Sequence, residues 1–271
     1  MKIQNLFTIA ALVPLMWACG GAQEATTESS SAEVEAVTTA KEEQAADNSL
    51  SAAEQQDGWV LLFDGQSWDK WRGAHQETFP DRGWRIEDGL LVVEEADGAE
   101  SGNGGDIVTK DEYTDFEFKV DFKITEGANS GIKYYVTEQY NSGKSAIGLE
   151  YQILDDAEHP DAKLGNNGGG TRTVASLYDL IAAPQDKPIN PVGEWNTAHI
   201  VSQDGKVEHW LNGEKVLEYD RFSDEFKQLV QSSKYKDWEG FGVWPTGHLL
   251  LQDHGNRVYY KNIKVKPLSA S

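Results

Sequence analysis

From Asp115 to Ile124 the chain alternates without a break. Phe116, Phe118, Val120, Phe122 and Ile124 fall on one side, and Asp115, Glu117, Lys119, Asp121 and Lys123 on the other. Strand side chains alternate between faces, so this stretch reads as a strand with one face in a core and one in water. That is the habit of an antiparallel sheet. Other stretches agree. Gly58-Trp59-Val60-Leu61-Leu62-Phe63 reads as a strand, and Trp84 to Val93 forms a hairpin around Asp88-Gly89. Asp204-Gly205 and Asn212-Gly213 turn a series of hairpins from Gly193 to Tyr219. Ser223 to Ser233 is the one convincing short helix. With no βαβ alternation and no repeat, the chain is expected to be all-β, two antiparallel sheets packed face to face.

The 271 residues divide into three stretches. Residues 1–18 carry Lys2 and an apolar run from Leu6 to Trp17, the length of a signal-peptide core and too short for a membrane span. Met16-Trp17-Ala18-Cys19 resembles a bacterial lipoprotein box, and Cys19 is the sole cysteine, placed where lipidation needs it. Gly20 after it points to the outer membrane. Residues 19–57 are rich in Ala, Glu, Ser, Thr and Gln and are expected to be a disordered acidic tether. The folded domain is expected over residues 58–268, large enough to bury a core without disulfides. A net charge of −21 argues against nucleic acid and anionic polysaccharide and leaves neutral sugars open. Membrane contact is expected only through the lipid.

The candidate chemistry centres on Ser145 to Asp156. Leu149, Tyr151 and Ile153 share one face, while Glu150, Gln152 and Leu154 share the other, with Asp155 and Asp156 at the strand end. A carboxylate beside an amide on one sheet surface suits work on a polyol, although a half-solvated strand is the commoner use of the pattern. Asn129, Gly131, Lys133 and Tyr135 also share a face. Glycine inside a strand marks a close approach, and the pattern leaves Lys133 open as a pairing partner for Glu150 or as a surface lysine. His248, Leu250, Gln252 and His254 form a third such row. Two loops are glycine-rich. Glu100 to Gly105 lacks the lysine and helix of a phosphate loop and reads as plain loop, whereas Gly165 to Arg172 can cover a cleft or serve as a spacer.

Leu62-Phe63-Asp64-Gly65 with Trp71, Asn129-Ser130-Gly131, Gly148 to Asp155, Leu177-Tyr178-Asp179, Gly193 to Thr197, Trp210-Leu211-Asn212-Gly213, Leu251 to Gly255 and Lys261-Asn262-Ile263 occur in one order. Together they resemble the 3-keto-disaccharide hydrolase domain, long catalogued as a domain of unknown function. The resemblance implies a concanavalin- or glucanase-like jelly-roll sandwich with a ligand cleft on a concave sheet. It also implies substrates oxidised at C3, which a separate oxidoreductase would supply because no dinucleotide fingerprint is present here. For that chemistry Glu150 or His254 is the expected base. Lys133, or a divalent metal held by Glu150, His254 and Asp155, is expected at the C3 oxygen, with the metal left open between a transition metal and calcium on carboxylates and carbonyls. Asn129, Gln152, Tyr178, Gln252 and a stacking Trp195 are the expected sugar contacts, with Asp155 orienting a partner. The family has an arginine shortly after Asn-Ser-Gly, where this chain has Lys133-Tyr134-Tyr135, so a bidentate contact is replaced by a point charge. Two other classes stay open, a conventional glycosidase with paired carboxylates and a lectin-like module without catalysis.

Overall fold

A computed structural model describes residues 45–96, 99–139, 145–165 and 170–269. The lipoprotein box, Cys19 and the first part of the tether lie outside these residues. Thirteen strands follow in order. They are β1 (Val60–Leu61), β2 (Trp71–Gly73), β3 (Trp84–Glu87), β4 (Leu90–Val93), β5 (Ile107–Thr109), β6 (Phe116–Ile124), β7 (Asn129–Thr137), β8 (Ile147–Leu154), β9 (Asn196–Gln203), β10 (Lys206–Leu211), β11 (Glu214–Asp220), β12 (His248–Leu251) and β13 (Val258–Pro267). The larger sheet has the order β11-β10-β9-β6-β13-β4-β3, with β1 also pairing β13, and the smaller sheet runs β2-β5-β12-β7-β8. Every ladder between named strands is antiparallel. The two sheets enclose one main apolar core.

The alternation of β6 appears as strict alternation of buried and half-buried residues. Phe116, Phe118 and Phe122 enter the core with Leu149, Tyr151 and Ile153 of β8. The hairpin turns form where Asp-Gly and Asn-Gly stand, with Asp88, Asp204 and Asn212 each at positive φ before a glycine that is also at positive φ. The helix α2 (Asp224–Gln231) is capped by Ser223, whose Oγ accepts from the Phe226 N–H.

Three expectations change. β8 is buried on both faces, because residues from outside its sheet roof the polar side that the sequence left wet. Tyr135 does not continue the row Asn129-Gly131-Lys133. The β7–β8 ladder slips between Tyr134 and Thr137, and Tyr135 takes φ 51°, so this bulge sends both tyrosines into the core. Finally, the folded body begins before Gly58. A short helix α1 (Ala52–Gln56) is closed by a Ser51–Glu54 capping box. Asp47, Glu54 and Asp57 pair with Lys261, Lys264 and Lys266 of β13. Asn48 and Asn262 exchange backbone-to-side-chain hydrogen bonds of 2.6 and 2.9 Å. An acidic segment read as tether is ordered here because β13 presents a row of lysines.

Candidate active site

The outer face of the smaller sheet forms the floor of a cavity of about 410 Å³. Register explains what stands there. In β7 and β8, Gly131 lies opposite Gln152 and Lys133 opposite Glu150. On the other side of β7, Leu250 lies opposite Lys133, and the Gln252 N–H bonds the Gly131 carbonyl at 3.0 Å. Leu251 pairs Ile107, which puts Asp106 beside Gln252. One row across four strands therefore reads Asp106, Gln252, Gly131 and Gln152, and the next holds Leu250, Lys133 and Glu150.

The glycine leaves a hole in the first row, and both charged residues of the second row lean into that row. A Cβ on Gly131 would stand 2.3 Å from Glu150 Oε1, so the carboxylate occupies the space that any other residue would fill. The close approach that the sequence assigned to this glycine is made by Glu150. Lys133 reaches diagonally the other way. Its Nζ is 3.7 Å from Asp106 Oδ2 and 3.4 Å from the Ala146 carbonyl. Asp106 is fully buried, and its Oδ1 accepts from Ser101 Oγ and the Asp253 N–H.

Burial sets the protonation of this group. It pushes the Glu150 carboxyl up to about 7, against the pull of Lys133 and Lys234. It pushes Asp106 up to about 6, with Lys133 again opposing. For Lys133 burial works against the charge, yet Asp106 and Glu150 outweigh it and hold the ammonium above the ordinary lysine value. The floor thus carries a dependable cation beside a carboxyl able to take or give a proton near neutrality.

Around them stand hydrogen-bonding groups. Gln152 Nε2 donates to Asn129 Oδ1 at 2.8 Å, and Gln252 Nε2 to Glu100 Oε1 at 3.4 Å. With both amides held this way, Gln152 Oε1 and Gln252 Oε1 are buried acceptors, and His254 Nδ1 is a buried ring nitrogen, without a partner among the described residues. Buried acceptors are rarely left so, and a ligand rich in hydroxyl donors would satisfy them. The wall is built by Tyr178, Lys234, Tyr235 and Trp238. Tyr178 is fixed by its N–H to the Glu150 carbonyl at 2.9 Å and by its hydroxyl to Asp161 at 2.9 Å.

Of the residues singled out from the sequence, Glu150, His254, Lys133, Asn129, Gln152, Tyr178 and Gln252 line this one cavity. Two do not. Asp155 accepts the backbone N–H groups of Gly127, Ala157 and Glu158 at 2.8 to 3.2 Å, so it closes the turn after β8. Trp195 lies outside the cavity with Lys123 of β6 and Lys261 of β13 over its ring, so it stacks on lysines of the larger sheet. Among the described residues no three His, Cys, Asp or Glu side chains gather around one point as metal ligands. With Asp155 turned to its own loop, the trio Glu150, His254 and Asp155 does not form.

Sequence reasoning missed Asp106, Glu100, Lys234, Tyr235 and Trp238. The loop read as plain carries Glu100, and it is pinned by Gly104 and Gly105 N–H groups on Asp253 Oδ2 at 2.9 and 2.8 Å. Alternation back from Val108 would have put Asp106 on the floor face. The residues after α2 carry no periodic signal. Part of the Gly165–Arg172 loop lies outside the described residues, while Arg172 itself pairs with Asp161 and Asp179.

With this geometry in hand, the comparisons with known proteins are specific. The chain is 37% identical over 276 aligned positions to a 3-keto-disaccharide hydrolase of Bacteroides thetaiotaomicron, covering 92% of this chain and 91% of that one. It resembles the crystal structure of a Parabacteroides distasonis protein provisionally assigned as a glycosyl hydrolase. The TM-score is 0.70 at 34% identity, over 83% of this chain and 100% of that one. A second such structure from the same organism gives 0.54 at 27% identity, over 74% and 100%. A family model described as the 3-keto-alpha-glucoside-1,2-lyase-like domain matches residues 58–266. Residues 58–266 hold both sheets and the whole cavity, and the chain belongs to the 3-keto-alpha-glucoside-1,2-lyase-like family.

Proposed function

We propose that this protein cleaves the glycosidic bond of 3-keto-disaccharides by elimination across C1 and C2, with Glu150 as base. A ketone at C3 acidifies the C2 proton. Glu150 takes that proton, an enediolate forms with its charge on the C3 oxygen, and the aglycone oxygen leaves C1. Water added at C1 completes a net hydrolysis. Lys133 stabilises the oxyanion, a role that needs a lasting positive charge in a water-poor site. Gln152, Gln252, Asn129 and His254 hold ring hydroxyls.

The observation that carries this reading is the placement of Glu150 and Lys133 side by side around the Gly131 gap, the base poised near neutrality and the cation backed by Asp106. The test uses matched glucosides, plain and 3-oxidised, with and without chelator. Release of aglycone from the oxidised member alone supports the assignment, and its loss in Glu150→Gln places the base. The chelator arm reports whether a divalent metal takes part. Release from the plain member instead favours a conventional glycosidase, for which Glu100 supplies a second carboxylate in the cavity.

The lipobox-like run ending in Cys19 supports a lipid-anchored protein of the cell envelope, on the outer membrane by the Gly20 pattern. Labelling of the wild type by a fatty-acid probe and its absence in Cys19→Ala would establish the anchor. The 3-keto substrate has to come from an oxidation performed by another enzyme.

A further inference from the structure

The elimination needs a proton at the departing oxygen, and neither residue of the Glu150–Lys133 pair is free to give it. Glu150 begins as the base, and Lys133 is tied to Asp106 and directed at the C3 oxygen. We infer that Lys234 is the general acid, protonating the leaving glycosidic oxygen from the wall while Glu150 works from the floor. This rests on the elimination reading above.

Position is the first argument. Lys234 follows α2 and belongs to neither sheet, yet it lines the same cavity as Glu150. Its Nζ lies 4.3 Å from the ring centre of Tyr178 and 5.1 Å from that of Tyr235. Among the described residues it makes no ion pair or hydrogen bond, so its protons are available to a ligand. Lys133, by contrast, is held inside the sheet.

Stereochemistry is the second. In a chair-form α-glucoside the C2 hydrogen and the C1 oxygen are both axial and point to opposite faces of the ring. Base and acid must then be different residues on different elements, as Glu150 on β8 and Lys234 in the chain after α2 are. A β-glucoside has its C1 oxygen equatorial and lacks this alignment.

Electrostatics agrees with the geometry. The Lys234 side chain is exposed at the cavity mouth as a whole, while the protein crowds its ammonium end. That crowding, together with Arg172, holds it below the ordinary lysine value. Glu150 on β8, Asp179 on the loop that carries Tyr178, and Glu100 on the loop before β5 pull the other way. An ammonium made more acidic in this way gives up its proton more readily.

The atoms balance. Glu150 takes the C2 proton, the C1–O bond breaks with its electron pair going to the aglycone oxygen, and Lys234 protonates that oxygen and becomes an amine. The ring then carries a C1–C2 double bond beside the C3 ketone. In the hydration step the amine takes a proton from water as hydroxide adds to C1, and Glu150 returns its proton to C2. Both groups end as they began, and the sum is one glycoside and one water giving one sugar and one alcohol.

The test compares a 3-keto-α-disaccharide, whose leaving alcohol needs a proton, with 4-nitrophenyl 3-keto-α-glucoside, whose phenolate does not. Lys234→Ala and Lys234→Met are assayed on both, the second keeping an apolar stem over Tyr178. The disaccharide rate is expected to fall roughly 10²- to 10⁴-fold, and the nitrophenyl rate by less than about tenfold. In the wild type, the alkaline decline of kcat/KM is expected at lower pH with the disaccharide than with the nitrophenyl glycoside, on which only the higher-lying Lys133 remains to lose its proton. Equal losses on both substrates in a variant that melts like the wild type would overturn the role. So would an alkaline limb at the same pH on both substrates, which needs no variant. A wild type that releases nothing from either oxidised substrate removes the elimination reading itself.

Discussion

Glu150→Gln separates the cost of the site from its use. The folded protein holds this carboxyl at about 7 rather than the ordinary 4.5, chiefly through burial. The raised value means that the folded state prefers the protonated form. Glu150 therefore costs nothing below pH 4.5, and stability is lost progressively as pH rises to about 7. Each pKa unit corresponds to about 1.4 kcal/mol, so the ionised side chain destabilises the fold by about 3 kcal/mol at pH 8. Glutamine has the shape of the protonated acid and cannot ionise. The variant should melt higher than the wild type at pH 8, by roughly 6 to 12 °C for a domain of this size. The two should converge to within about 1 °C near pH 4. Melting curves from pH 4 to 8 give the stability difference, and turnover of a 3-keto-glycoside gives the function, which should be abolished. A variant that is less stable at pH 8, or a difference that does not grow between pH 4.5 and 7, would refute the reasoning. Lys133 and Lys234 would then outweigh burial, and Glu150 would be too weak a base for the role.

Three further outcomes follow from the same geometry. Gly131→Ala should displace the Glu150 carboxylate, which stands 2.3 Å from the added carbon. Turnover should fall at least about tenfold while stability changes by only about 1 kcal/mol, because a flexible side chain can yield. Asp106→Asn removes the charge behind Lys133, so kcat should fall by about one to two orders of magnitude with KM nearly unchanged; a KM effect alone in steady-state kinetics would place Lys133 in substrate binding instead. Trp195→Ala should leave turnover at the wild-type level, since that ring stacks on lysines of the larger sheet, and a large loss of kcat would return it to the site.

How much of this was legible in the sequence depended on periodicity. Strict alternation in β6 and β8 fixed which residues share a face, and Asp-Gly and Asn-Gly pairs fixed the hairpins, because both signals are local. Glu150, Gln152, Asn129 and Lys133 were found because each sits on a strand with that rhythm, and Gln252 and His254 because the same rhythm runs on in the sequence past the end of β12. The roof was not legible. Lys234, Tyr235 and Trp238 lie in irregular chain that reaches the cavity only through tertiary packing, and a lysine after a polar helix looks like any solvated lysine. Asp155 failed for a related reason. A carboxylate at a strand end has backbone N–H groups close by, and those claimed it before any ligand could. Tyr135 was placed on the wrong face because a one-residue bulge resets the count, and alternation carries no warning of a bulge. The tether was misjudged at its end because composition describes a segment alone, while the lysines that order residues 45–57 belong to β13.

The oxygens of Gln152 and Gln252, buried without a partner among the described residues, make this cavity select by subtraction. A larger sugar is refused only where it meets a wall, whereas a deoxy or O-methyl sugar leaves an acceptor buried with nothing to receive. Each missing hydroxyl should cost about 1 to 3 kcal/mol, or roughly tenfold to a hundredfold in kcat/KM. Discrimination of that kind needs no tight fit around the aglycone. The pocket can therefore be strict about the sugar it opens and lenient about what that sugar was attached to, which suits a hydrolase meeting many glycosides of one oxidised ring.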